Sequence, residues 1–385
     1  MKCSFKDIVL DSRTGLNPRK NFVLGSGNNA YITIKDIYDG KINISEKTDR
    51  VDDDAIQIIK KRSRISVGDI LFVSIGRIGE TAIVYEKDDS WDVNESIFIF
   101  TINKNLIVPE YFCLLFESED VRNALLKNSS GSTFKSIKMG QLEKMVFDIP
   151  SLQEQRTIVD RIHKTKVIIA LRKAELEKLD ELIKARFVEM FGDPILNPKG
   201  YDKESIKKHI NLLSGYPFKS EQYVEDGVNI CGGLIIMPQK IKWEECVHWS
   251  STDGYEEYML DENDIVMALD RPWISEGFKI AKVDGEHLPA LLIQRTARIR
   301  AIDINQDYLY YSFIHGGFDR HSNVTGSLVP HISAKDINSF EVMLPPIEIQ
   351  NQFAAFVQQV DKSKVIENNA FRGLKYSLMP GLMAA

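Results

Sequence analysis

Asp148-Ile149-Pro150-Ser151-Leu152-Gln153-Glu154-Gln155 recurs as Met343-Leu344-Pro345-Pro346-Ile347-Glu348-Ile349-Gln350, placing Gln155 and Gln350 195 residues apart in a chain of 385. Each copy closes a strand-like run and opens a long helix-like one. The register holds upstream, where Gly68-Asp69-Ile70-Leu71 matches Asn263-Asp264-Ile265-Val266 and Gly131-Ser132 matches Gly326-Ser327 at the same offset. Tyr111-Phe112 pairs with Tyr308-Leu309 after a further shift of two, as a small loop insertion produces. The chain therefore reads as globular module, helix, globular module, helix, with heads over 1–150 and 192–345 and helices over 151–191 and 346–385. Two similar heads held apart by two rods suit a ligand that is itself long and repeating.

The first helix carries its own start and stop signals. Ser151 with Glu154 three residues on is a capping box, and Pro150 separates it from the strand-like Met145-Val146-Phe147. Ile162, Ile169, Leu176, Ile183 and Met190 then recur every seven residues among charged neighbours, one apolar seam on a polar rod. Gly192 and Pro194 end it. About 40 residues at 1.5 Å each predict a rod of roughly 60 Å. The second helix, opened by Pro346, has a matching stripe in Phe353, Val357, Val360, Phe371, Leu374 and Leu378, with Asn368, Asn369 and Gly373 predicting irregularity toward its end. Antiparallel pairing of the rods is the simplest arrangement; the alternative is that each helix packs on its own head.

Each head is predicted to be α+β. Strands are expected over 70–74, 81–85 and 96–102 with a helix over 108–126, and in the second copy over 264–269, 278–283 and 296–302 with a helix over 307–313.

Composition bounds the function. Apolar and charged contents are those of an ordinary soluble protein, and the length suits two to three domains. No apolar stretch approaches the roughly 18 residues of a membrane span, and no leader pattern opens the chain, so a cytoplasmic location is expected. Cys3, Cys113, Cys231 and Cys246 show no paired spacing and are expected to be free thiols. A net charge of −6 argues against a simple nucleic-acid coat. The acid is concentrated in residues 191–345, which hold 15 Lys and Arg against 23 Asp and Glu. That imbalance also fits a protein that meets its target inside a larger, more basic assembly.

No catalytic constellation emerges. Gly25-Ser26-Gly27-Asn28-Asn29 lacks the lysine of a phosphate loop, and there is no Asn-Pro-Pro-aromatic methyltransferase tetrapeptide and no Glu-x-Lys nuclease pair. Cys246 and His248 flank Val247 without completing a zinc set, so a structural role is expected. What remains are loops at matching places: Ser74-Ile75-Gly76-Arg77 with Gly131-Ser132-Thr133-Phe134-Lys135-Ser136, and Leu269-Asp270-Arg271-Pro272-Trp273 with Gly326-Ser327-Leu328-Val329-Pro330-His331. Arginine reads guanine edges with two hydrogen bonds, and Ser, Thr and Lys bind phosphate or base edges. The residues singled out as DNA-binding are Arg77, Ser132, Thr133, Lys135, Arg271, Trp273, Ser327 and His331, joined by Lys61 and Arg62 of a local basic cluster. Ordinary tight turns and a solvated basic face would look the same.

At this point the chain resembles a known family. Ile149-Pro150-Ser151-Leu152-Gln153-Glu154-Gln155, the helix exit Ala185-Arg186-Phe187-Val188-Glu189-Met190-Phe191-Gly192-Asp193-Pro194, and Ser214-Gly215-Tyr216-Pro217-Phe218-Lys219-Ser220 resemble the specificity subunit of type I restriction-modification enzymes, as does the duplicated layout. The second copy departs from the pattern, with Glu348-Ile349-Gln350 where the first has Gln153-Glu154-Gln155.

The resemblance implies two α+β target-recognition domains separated by two long helices packed as an antiparallel coiled coil, with pseudo-twofold symmetry. It implies that each domain reads one half of a bipartite double-stranded DNA target. The helices would dock two modification subunits, which bind S-adenosylmethionine and methylate adenine; restriction subunits would add an ATP-driven endonuclease. The chain itself would be non-catalytic and would hold no cofactor and no metal. Two other classes stand beside this reading: a protein-interaction bridge that reads no DNA, and a standalone modifying enzyme.

Overall fold

The computed structural model describes residues 1–18, 21–130, 135–321 and 330–364. The chain divides into two compact units at Lys173/Ala174. Each is α+β, and every sheet of the first has its counterpart in the second, which adds one two-stranded hairpin.

The first unit is built on a four-stranded antiparallel sheet in the order Val9–Thr14, Ile97–Ile102, Ile70–Val73, Thr81–Ile83. The second repeats it as Ile210–Ser214, Thr296–Ala301, Ile265–Ala268, Ile280–Lys282. A three-stranded sheet follows the same rule. Asn29–Ile32 pairs antiparallel with Asp49–Val51 and parallel with Trp91–Val93, and Val228–Cys231 does so with Val247–Trp249 and Ala290–Leu292. Lys2–Ser4 pairs with Val146–Asp148, and Lys203–Ser205 with Glu341–Met343. The central strands Ile70–Val73 and Ile265–Ala268 are buried throughout, which is why they read as unbroken apolar runs.

Two predicted elements are divided. The helix expected over 108–126 is two, Pro109–Glu117 and Glu119–Asn128, because Ser118 between them is extended (φ −66°, ψ 144°) and its hydroxyl donates to the Leu115 carbonyl. The strand expected over 278–283 is also two. Gly277–Phe278 pairs with Trp273–Ile274 in a hairpin, and Ile280–Lys282 joins the main sheet. This hairpin has no counterpart in the first unit among the described residues; it accommodates four extra residues between positions 76/271 and 83/282.

The duplicated segment explains itself at Gln155 and Gln350, both buried. The Gln155 side chain accepts the Val108 N–H at 2.8 Å and donates to the carbonyls of Leu106 and Pro150 at 2.9 Å. Gln350 accepts the Asn305 N–H at 2.9 Å and donates to the Pro345 carbonyl at 2.8 Å. Each glutamine thus fastens the first turn of a long helix to the start of the helix that follows the sheet, satisfying buried backbone groups that would otherwise lack partners. The altered spelling around Gln350 leaves this contact intact.

The first long helix is Leu152–Phe191. Ser151 and Glu154 form the capping box, with the Ser151 hydroxyl donating to the Glu154 carboxylate at 2.7 Å. Gly192, at φ +81°, ends the helix by donating its N–H to the Val188 carbonyl. The chain is helical again over 347–364.

Within the second unit the two helices run antiparallel. Phe353 packs against Phe187 and Phe191 with ring centroids 5.5 and 5.4 Å away, and Lys364 reaches back to Asp180 at 2.6 Å. Phe353, Val357 and Val360 are also part of that unit's core, together with Ile183, Tyr308, Phe313 and Phe340. Helix pairing and helix-on-head packing therefore coexist. Phe371, Leu374, Leu378 and the expected irregularity near Asn368, Asn369 and Gly373 lie outside the described residues. Midway along the first helix, Val167, Ile168 and Leu171 are exposed.

Among the described residues no helix is long and apolar enough to cross a membrane. The four cysteines are free thiols.

Candidate nucleic-acid interface

The loops singled out in each copy come together, and by the same hydrogen bonds. In the first unit Gly76 N–H donates to the Lys135 carbonyl and Ile137 N–H to the Ser74 carbonyl, both at 2.9 Å, around an Ile75/Ser136 bridge. In the second, Arg271 N–H donates to the Pro330 carbonyl at 2.9 Å and Ile332 N–H to the Leu269 carbonyl at 2.8 Å, around an Asp270/His331 bridge. Every one of these six positions has its counterpart 195 residues away. The frame is shared and the side chains on it differ.

That register pairs Arg271 with Gly76, not with Arg77. Both positions need a left-handed backbone, φ +74° at Gly76 and +46° at Arg271. Glycine adopts it without cost, whereas an arginine there is strained by on the order of 1 kcal/mol. Arg271 is exposed, and its side chain makes no hydrogen bond or ion pair among the described residues.

Around it lies a cleft of about 840 Å³ whose walls include Ile230, Ile235 and Ile293 and whose charged groups are Glu245, Asp270, Arg271, Lys279, Arg295 and His331. Asp270 accepts from His331 Nδ1 and from Arg295 Nη1, each at 2.7 Å. Burial pushes its carboxyl up, but the His331 and Arg295 hydrogen bonds outweigh this and hold it below the usual carboxylate value. Lys279 is buried and donates to the Gly233 carbonyl. Burial, with the nearby Arg271 guanidinium adding to it, lowers its ammonium below the usual lysine value. Cations thus gather here within an otherwise acidic head.

The remaining predicted residues divide by what they touch. Arg77 donates through Nη2 to the carbonyls of Ile34 and Ile37 at 2.6 and 2.8 Å and pairs through Nη1 with Glu80 at 2.7 Å. Its fork is occupied by the carbonyls of the 34–37 turn and by Glu80, although the side chain stays 45% exposed. Lys61 and Arg62 end the helix Asp53–Ser63, where basic residues complement the carbonyl end of the helix. Arg62 also reaches the Thr14 hydroxyl at 3.2 Å, while Lys61 is exposed. The Lys135 side chain is exposed at the first junction. Trp273 stacks on Phe278 in the extra hairpin at 5.0 Å and 16°. Ser132, Thr133 and Ser327 lie outside the described residues. Asp270, Lys279 and Arg295 were not singled out in the sequence.

Each unit also has a cleft between its sheet-following helix and the long helix. The first, about 690 Å³, is lined by Tyr85, Glu110, Cys113, His163 and Lys166 among others. The second, about 750 Å³, is lined by Lys282, Asp307, Gln358 and Asp361 among others. Glu110 and Asp307, His163 and Gln358, and Lys166 and Asp361 occupy corresponding places, so the clefts match in position and differ in charge. Elsewhere, Cys246 Sγ lies 3.7 Å from His248 Nε2. No group of three or more His, Cys, Asp or Glu is placed to hold a metal among the described residues.

A family model described as the type I restriction modification DNA specificity domain matches residues 4–181 and again 215–372. The chain is 28% identical over 267 residues to the type I restriction enzyme EcoAI specificity subunit of Escherichia coli, a match covering 66% of this chain and 42% of that protein. It thus spans less than half the length of that relative. It is 23% identical over 326 residues to the type I restriction enzyme MjaVIII specificity subunit of Methanocaldococcus jannaschii, covering 80% of this chain and 75% of that one. The fold is similar to the crystal structure of a type I restriction-modification S subunit from M. genitalium, with a TM-score of 0.56, 13% identity, and coverage of 99% and 95%. A chain solved in work on assembly and conformational transition of the type I R-M system gives a TM-score of 0.58 at 16% identity, covering 99% and 96%.

Proposed function

The chain belongs to the type I restriction-modification DNA specificity family, whose domain it carries twice, and from that premise we propose that it is the DNA-recognition subunit of such a system, reading one half of a bipartite duplex target with each head. The observation that carries this reading is the pair of loop junctions. One hydrogen-bonded frame occurs twice, furnished once with Gly76, Lys135 and Ser136 and once with Arg271, Pro330 and His331. Equal frames with unequal side chains are what two half-sites of different sequence require, since phosphate contacts position a protein and base contacts specify.

In this reading the helix Leu152–Phe191 sets the length of the unread spacer. Two matched clefts, one per unit, supply equivalent seats for two modification subunits, and the exposed Val167, Ile168 and Leu171 add apolar surface for them. S-adenosylmethionine binds to those subunits and ATP to restriction subunits, while this chain performs no chemistry and holds neither; the assembly acts on DNA in the cytoplasm. Mapping methylated adenines across the host genome by single-molecule sequencing, before and after deletion of the gene, tests the proposal. Methylation at one bipartite motif should vanish; an unchanged methylome contradicts it.

A further inference from the structure

At the second junction Asp270 joins Arg295 to His331. We propose that Arg295 is a guanine-reading residue of the second head and that Asp270 is its positioning residue, fixing Arg295 and His331 beside Arg271 without itself touching DNA. The assignment rests on the DNA-reading function proposed above.

Three observations carry it. Asp270 is the common anchor: its side chain is 28% exposed, while the two it holds, Arg295 and His331, are 69% and 50% exposed. An anchored base with exposed tips is how a polar side chain is pre-oriented for a ligand. Arg295 uses only Nη1 on Asp270 among the described residues, so its other donors remain for the O6 and N7 of a guanine, the pair that arginine reads most often in the major groove. This is the opposite of Arg77, whose donors are taken up inside its own head.

The backbone supplies the second observation. Arg271 and Arg295 both sit in the left-handed region, at φ +46° and +68°. Strain of this kind persists only where surrounding structure enforces it, and it clusters at binding sites. The first head has Gly76 and Ser96 at the corresponding positions of its sheet register. Third, the two exposed arginines share one cleft with the buried Lys279, against the acids Asp270, already paired with Arg295 and His331, and Glu245, whereas the segment 191–345 around them is strongly acidic. A local cationic edge in an acidic head directs a polyanion to that place.

The test uses the full chain assembled with its modification subunits, selecting from a pool of randomised duplex DNA, with wild type compared against Arg295→Lys, Asp270→Asn and Asp270→Glu. Preference for guanine at one position of one half-site should fall about tenfold in both Arg295→Lys, which keeps the charge but loses the planar fork of donors, and Asp270→Asn. The other half-site and the salt dependence of non-specific binding should be unchanged, and Asp270→Glu should restore part of the loss. Unaltered preferences in Arg295→Lys and Asp270→Asn, or an equal loss over all sequences, overturn the assignment while leaving the DNA-reading function standing. A wild-type complex that selects no bipartite sequence overturns both. Should Asp270→Asn lower the unfolding midpoint, Arg295→Lys at an exposed side chain decides the matter alone.

Discussion

Gln155 and Gln350 show how much a single side chain can carry. Each is buried, and each closes hydrogen bonds on both its oxygen and its nitrogen. Replacing either with leucine leaves a buried backbone N–H without an acceptor, and we expect a loss of about 1–3 kcal/mol in urea unfolding, larger than for leucine at exposed Gln153. An unchanged midpoint would show the bonds to be dispensable. His315 makes a second residue-scale prediction. Burial, with Lys184 nearby, pushes its pKa down to about 4, so folding favours the neutral ring. Its contribution is full above the unfolded value near 6.5 and is lost as pH falls toward 4, an acid-side destabilisation of about 3 kcal/mol. His315→Phe, placed between Phe187 and Tyr311, should flatten that pH profile; an equally steep profile would contradict the assignment. The glutamines were legible because they repeat at a fixed offset. Asp270 and Arg295 were not, since their ion pair joins loops 25 residues apart and no pattern marks it.

At the scale of elements, signals with a local cause were the legible ones. The capping box at Ser151, the heptad repeat and the exit at Gly192 predict the helix Leu152–Phe191 to within a residue of its observed start. The missed breaks have non-local or single-residue causes: the hydroxyl of Ser118 capping one helix, and the extra hairpin at Trp273–Ile274 dividing a strand. Removing one heptad between Ile162 and Ile183, with a compensating deletion in the partner helix, shortens the rod by roughly 10 Å. The spacer between half-sites should then shorten by about three base pairs while both half-sites stay the same. Selection from randomised duplex DNA reads this directly, and an unaltered spacer would sink the ruler.

For the whole molecule, the duplication was the most legible property, because an offset of 195 residues survives in the strands Ile70–Val73 and Val146–Asp148, in the loop junctions and in the long helices, while the other strands shift by a few residues more. Charge was less so. The net −6 does not show that the exposed Arg271 and Arg295 meet the buried Lys279 on one cleft, where Asp270 and Glu245 are the acids. The central claim is that one frame, used twice, reads two different half-sites independently. The most direct test copies the first junction into the second head: residues 269–272 take the sequence of 74–77 and residues 326–331 that of 131–136, with the first head left as it is, and the assembled complex is selected on randomised duplexes. The account predicts that one half-site changes and the other, with its spacer, does not. Coupled changes in both half-sites, or enrichment of a single contiguous sequence in the wild type, would contradict it.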